Sequence, residues 1–284
     1  MGYLVTHTGV KKEVRIEAFA DDCTLFLHPT ADNLKKFINV IKEFKTISGL
    51  SINLGKTTAV WFGMNCATKP PLAPELNLKW DSEFQLLGIW FTGDLTNMQR
   101  NFDEKITAVN KLIKKWIYRT LTPYGRICIL KTLALPKLGY VIQVLPNPPQ
   151  EKIQNLEKAC TNFIWGSTEV KKKQNKINAM RVRCPEVSGG LGFVQIKTFW
   201  NALHLSWARR ALQKDSRWLY ILEKDLEEQL GTNINIAQFL MNGPVFMSKL
   251  AGKLKNEFWR QTLSIFGPIL KEYIYQKKKN WGRF

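Results

Sequence analysis

Two adjacent carboxylates, Asp21 and Asp22, carry the most specific chemistry in the sequence. Paired carboxylates held rigidly bind divalent cations. Mg²⁺ takes oxygen ligands and keeps waters and phosphate oxygens in its shell. Two such ions can activate a hydroxyl and stabilise a leaving phosphate. Neighbouring residues of a strand point to opposite sides, so the two aspartates would not contribute equally. A complete two-metal site needs a further carboxylate from another strand. Glu13 and Glu17 lie on the strand that leads into the pair, which makes neither a good candidate. A solvated turn accounts for the dipeptide as well, because Asp is a favoured turn residue. A second temptation is Gly55-Lys56-Thr57, which looks like the end of a phosphate-binding loop. That motif needs Gly five positions before Gly55, and position 50 is Leu, so the spacing rejects it.

The elements that must position the carboxylates are legible around them. Val14, Ile16, Ala18 and Ala20 alternate with Arg15, Glu17 and Phe19, and Thr24-Leu25-Phe26-Leu27 follows. This predicts one β-hairpin over 13–28 with Asp21 and Asp22 at its turn. Leu34, Phe37, Ile38, Ile41 and Phe44 recur at helical spacing between Thr30 and Gly49, predicting an amphipathic helix. A strand is expected at Thr58–Phe62 and a strand or hairpin arm at Phe84–Phe91, with Gly88 permitting a bulge or close approach, and a proline-containing loop at 64–82.

From Thr96 the pattern turns helical. Thr96 and Gln99 have capping-box spacing, and Met98, Phe102, Ile106, Val109, Leu112 or Ile113, and Trp116 form a stripe. Thr122-Pro123 starts a second helix, expected to stop at Pro136. A third is expected over Gln150–Trp165 and a fourth over Phe199–Leu212. Lys171 to Lys176 reads as a charged linker or a nuclear localisation signal. Gly189-Gly190-Leu191-Gly192 fails the dinucleotide fingerprint. The rest, 216–284, is expected to be helical, with turns near Gly231, Gly243-Pro244 and Gly267-Pro268. There, Trp218, Phe258 and Trp259 are expected to be core.

Composition bounds the partner. The chain has 284 residues, is 45% hydrophobic, and carries 10 Trp and 16 Phe, which excludes a disordered chain. Its formal net charge is +19, which implies an anionic partner such as nucleic acid or a membrane surface. Between Ile106 and Gln150 there are seven basic residues and no acidic one. Lys114, Lys115, Arg126 and Lys131 fall on the helices expected there and are candidate phosphate contacts. Five dispersed cysteines without metal-ligand spacing point to a reduced intracellular protein, nuclear or cytoplasmic, without structural zinc. No signal peptide and no apolar run long enough to span a bilayer is evident, so no membrane residence is expected.

The ordered motifs resemble a family. Phe19-Ala20-Asp21-Asp22 is similar to the catalytic signature of LINE-type (non-LTR) retrotransposon reverse transcriptases. Ser48-Gly49-Leu50-Ser51-Ile52-Asn53-x-x-Lys56-Thr57 resembles the next palm motif, and Leu86-Leu87-Gly88-Ile89 the primer-grip segment. Leu121-Thr122-x-x-Gly125-Arg126 through Tyr140 looks like the thumb. Phe163 to Gly166 and Gly189 to Phe193 look like the region after it. The resemblance implies an α+β chain: a partial polymerase palm over 1–93, a helical thumb over 94–168, and a basic linker with a helical C-terminal region over 169–284. It implies Asp21 and Asp22 as Mg²⁺ ligands, Lys56 near a nucleotide's phosphates, and an RNA template with a DNA primer as partners. Because the match begins partway through the family's polymerase, fingers and the first palm aspartate are missing from it. The expectation is a fragment, inactive alone, of an RNA-directed DNA polymerase. A basic RNA- or DNA-binding module without catalysis is the alternative, and a non-functional translation product a third.

Overall fold

The computed structural model describes residues 3–7, 10–14, 16–28, 30–53, 55–61, 78–94, 98–166, 177–211, 217–231 and 251–281. The fold is α+β, with short strands first and helices after. The chain divides into two compact units, Met1–Met98 and Gln99–Phe284.

Among its described residues the first unit contains short strand pairs and one helix. Strands β1 (Tyr3–His7) and β2 (Val10–Val14) pair antiparallel, Tyr3 opposite Val14. Strands β3 (Ile16–Phe19) and β4 (Asp22–Leu25) form the next hairpin, Phe19 opposite Asp22. The region expected to hold one hairpin therefore contributes to two. The apolar–polar alternation that predicted a single strand runs across both β2 and β3, and periodicity alone has no signal for where pairing changes partner. Helix α1 (Ala31–Ser48) begins where the sequence places it. The Thr30 hydroxyl accepts from the Asn33 amide, and Gly49 ends the helix in the left-handed region at φ 72°. Strand β5 (Thr58–Val60) pairs parallel with β6 (Lys79–Asp81). Strands β7 (Glu83–Leu86) and β8 (Ile89–Thr92) form a hairpin whose two turn residues, Leu87 and Gly88, both have positive φ. That is the primed-turn geometry that matches strand twist. Gly88 thus makes the turn, and no bulge is needed to explain it.

The second unit is helical. Helix α2 (Gln99–Trp116) buries Phe102, Val109 and Ile113 from the expected stripe. Thr96 and Thr122 differ in outcome. Thr96 lies outside the described residues, whereas Thr122 caps helix α3 (Pro123–Ile129) by accepting from the Gly125 amide at 3.2 Å. The chain then passes through a π segment, Leu130–Ala134, into α4 (Leu135–Val144). The expected stop at Pro136 is not observed. Proline lacks an amide and clashes with the carbonyl four residues back. Here the Leu135 amide bonds the Leu130 carbonyl five residues back, and this wider turn carries the helix past the ring.

Helix α5 (Gln150–Trp165) occupies the expected span and ends at Gly166, φ 71°. After α6 (Ala179–Arg183), the glycine-rich turn leads to α7 (Ile196–Ala211), three residues earlier than expected. Helices α8 (Arg217–Leu230) and α9 (Glu257–Trp281) complete the unit. Pro268 lies inside α9, so the expected turn at Gly267-Pro268 is also overridden. Leu263 and Gly267 are buried on that helix, and packing outweighs the proline's local cost. The linker at 171–176 and the turn at Gly243-Pro244 lie outside the described residues.

The core of this unit lies among α2, α4, α5 and α7, with Leu130, Leu138, Ile142, Phe163 and Trp200 fully buried. A second cluster joins α7, α8 and α9, where Trp218 and Trp259 stack at 5.3 Å against Leu222 and Leu263. Pro123–Val144 is long and apolar enough to cross a membrane by length and composition, contrary to the sequence expectation. One face of this segment, including Leu130, Leu138 and Val141, packs in this core.

Candidate nucleic-acid interface

Asp21 and Asp22 are held at the β3–β4 hairpin tip, as the alternation predicts, and both are exposed. Ala20, the first turn residue, sits at φ 54°, a left-handed conformation that costs a non-glycine residue about 1–2 kcal/mol. Lys56 is exposed on a separate turn. There its amide bonds the Asn53 carbonyl at 3.0 Å, while the Thr57 hydroxyl donates to that same carbonyl. No hydrogen bond or ion pair connects Lys56 with Asp21 or Asp22. Among the described residues no group of three or more His, Cys, Asp or Glu side chains could hold a metal ion. Mg²⁺ is commonly held by one or two carboxylates with waters and substrate phosphates, so Asp21 and Asp22 could supply protein ligands only as part of such a shell and form no all-protein cage.

The basic residues of the second unit fall into three environments. Lys114 and Lys115 end α2 with Lys111, all exposed, and among the described residues none of the three meets a carboxylate. Cations in a helix's last turn also suit the negative end of its dipole. Tyr118 and Arg119 follow, both exposed, and the Arg119 guanidinium lies 5.7 Å from the Trp116 ring centre. Lys131 is exposed on the π segment. Its Nζ lies beside the Gly192 turn, near the Glu186 carboxylate. Tyr124 donates to that carboxylate at 3.1 Å, which raises the phenol above its ordinary range.

Arg126 is different again, at only 9% exposed. Its Nη1 donates to the Phe163 carbonyl at 2.8 Å, Nε to Leu121, and Nη2 to Ile117 and Arg119. Phe163 is in the last turn of α5, and Ile117 and Arg119 just follow α2. One buried cation therefore bonds carbonyls at two helix ends, adding to the Gly166 and Leu121 amides that also meet Phe163 and Arg119, with the dipoles favouring it. Gly166 is shaped to this group. A Cβ there would come within 3.0 Å of Arg126 Nη1. Residues 117–122 and Arg126 line an open depression of about 490 Å³.

Sequence reasoning found Lys114 and Lys115 through charge but passed over Tyr118 and Arg119. Their signal is spacing: Tyr118 lies seven residues after Lys111 and four after Lys114, which continues one helix face.

The sequence matches none of the protein-family models. It is 32% identical over 126 residues to a protein of Arabidopsis thaliana provisionally named a ribonuclease H protein. The match covers 43% of this chain and 20% of that protein. This comparison corrects the family expectation. The relative is named for ribonuclease H, which overturns the reading of the chain as a LINE-type reverse transcriptase, and with it the RNA-directed DNA polymerase function.

Proposed function

We propose that this chain binds nucleic acid through the basic surface of its helical unit. The observation that carries the reading is the exposed cluster of Lys111, Lys114 and Lys115, without carboxylate partners, in a stretch free of acidic residues from Ile106 to Gln150. Unpaired lysines on a rigid helix attract phosphates. Such contacts release counterions, hold the polymer in register and carry no base information. The name of the Arabidopsis relative contains ribonuclease, and a polynucleotide partner is consistent with it. A reader of backbones accepts RNA, DNA or an RNA–DNA duplex, so a template and primer pair is one of several forms it would hold. Arg126 takes no direct part in this reading, because its donors already face carbonyls.

Binding of the full chain to labelled RNA and DNA, measured by fluorescence anisotropy, tests this. Affinity is expected to fall steeply between about 50 and 200 mM salt. Replacing Lys111, Lys114 and Lys115 together with Gln is expected to weaken all sequences alike and to lower the salt slope by about 2–3. Salt-independent binding, or an unchanged slope in the triple variant, would overturn the proposal.

A further inference from the structure

Tyr118 lies two residues past the end of α2, at 85% exposure, and among the described residues its ring has no ring–ring partner and its phenol no hydrogen bond. An aromatic ring is a large apolar surface, and here it is open to solvent. Tyr118 is one of the residues, 117–122 and Arg126, that line a shallow, open depression of about 490 Å³. The depression is rigidly built. Arg126 ties down the carbonyls of Ile117, Arg119 and Leu121, and Thr122 caps α3 at its far edge. Arg119, lying over Trp116, brings a guanidinium to the same rim.

We propose that Tyr118 is a stacking platform for one unpaired base of a single-stranded nucleic acid, whose phosphates run along Lys111, Lys114 and Lys115. The inference rests on the nucleic-acid reading above and adds the class of substrate. A base has a π face of either purine or pyrimidine kind, so stacking on tyrosine tolerates sequence. A base inside a blunt duplex is already stacked on both sides and has no free face to offer. The α2 face therefore holds any polynucleotide by charge, and Tyr118 adds affinity only where a base is unpaired. Arg119 positions the adjoining phosphate or stacks on the base's other edge as a planar cation.

The test compares the full chain with Tyr118→Ala and Tyr118→Trp, using a short labelled single strand and a blunt duplex of the same length. Tyr118→Ala is expected to weaken single-strand binding by roughly 5- to 100-fold, the range for losing one base stack. Duplex binding and the salt slope are expected to stay unchanged, and Tyr118→Trp is expected to retain single-strand affinity. Unchanged single-strand affinity in Tyr118→Ala, with salt-dependent binding intact, would overturn the stacking role alone. Equal weakening of single strand and duplex would also overturn it. Absence of salt-dependent binding in the unsubstituted chain would overturn both proposals.

Discussion

Arg126 is a cation turned inward. Its charge belongs to the same acid-free stretch as Lys114 and Lys115, yet it holds four backbone carbonyls from two helix ends and the loop between α2 and α3. Charged hydrogen bonds of this kind are among the stronger ones, and removing the donor strips the guanidinium bond from all four carbonyls, of which Phe163 and Arg119 keep a second donor in the Gly166 and Leu121 amides. Arg126→Ala is expected to cost about 2–4 kcal/mol in urea-induced unfolding. Arg126→Lys is expected to recover only part of it, because an ammonium lacks the planar fork. His204 makes a second residue-scale case. The Thr262 hydroxyl donates to the Phe258 carbonyl, so His204 Nδ1 donates to Thr262 Oγ1 at 3.1 Å. Nε2 is left as a buried acceptor without a partner. Burial lowers the imidazole from 6.5 to about 4. The folded chain thus binds this proton less readily than the unfolded chain. The stabilisation is complete above pH 6.5 and is lost as pH falls toward 4, by on the order of 3 kcal/mol. Denaturant midpoints measured across that window are expected to fall, and His204→Leu is expected to flatten the dependence.

Among the elements, local chemistry and packing agree at caps and part company at prolines. Thr30, Thr122-Pro123 and Gly49 act as their types require, because a cap is satisfied within one turn of chain. Pro136 and Pro268 do not stop their helices, since the π turn bypasses one and burial of Leu263 holds the other. The glycine-rich turn after α6 is a packing device. A Cβ on Gly190 would lie 2.0 Å from the Cys184 carbonyl oxygen, whereas Gly189 and Gly192 take positive φ. The loop folds back so that the Leu191 amide reaches the Arg181 carbonyl and Phe193 reaches Val182. Gly190→Ala is expected to lower the thermal midpoint clearly, at a cost of about 2 kcal/mol or more. By contrast, Ala20→Gly is expected to stabilise the β3–β4 hairpin by about 1 kcal/mol by relieving its left-handed turn. Paired thermal melts of the two variants check both signs.

At the scale of the whole molecule, the two units differ in how they bury apolar surface. The helical unit closes its stripes into layered cores around Leu130, Phe163 and Trp200. In the first unit, Ile89 is the one buried large apolar side chain among the described residues, while Ile16, Phe19, Phe44 and Ile47 are exposed. Helix α1 has the expected stripe, but Leu34, Phe37, Ile38 and Ile41 are only half-buried. Local stability follows such contacts. Amide hydrogen exchange is therefore expected to be slowest in Leu130–Ile142 and faster by orders of magnitude in α1 and the hairpins. Equal protection in both units would contradict this account. Exposed apolar side chains of the first unit are also expected to bind a hydrophobic dye in the folded chain.

The sequence by itself determined the class of the fold, the change from strands to helices near Thr96 and the position of most helices. Each of these follows from period, caps and charge within a few turns of chain. It also located the carboxylate pair at a hairpin tip, because alternation and turn chemistry coincide there. Motif resemblance reached further than the comparison supports, since short ordered motifs report local chemistry, and the detected relative is named for ribonuclease H. Only the tertiary structure decided which cations face solvent. Lys114 and Lys115 stand exposed at the end of α2, whereas Arg126 is drawn in by three carbonyls within nine residues of it and by the Phe163 carbonyl 37 residues away. That last partner comes from another helix, and no local pattern encodes it.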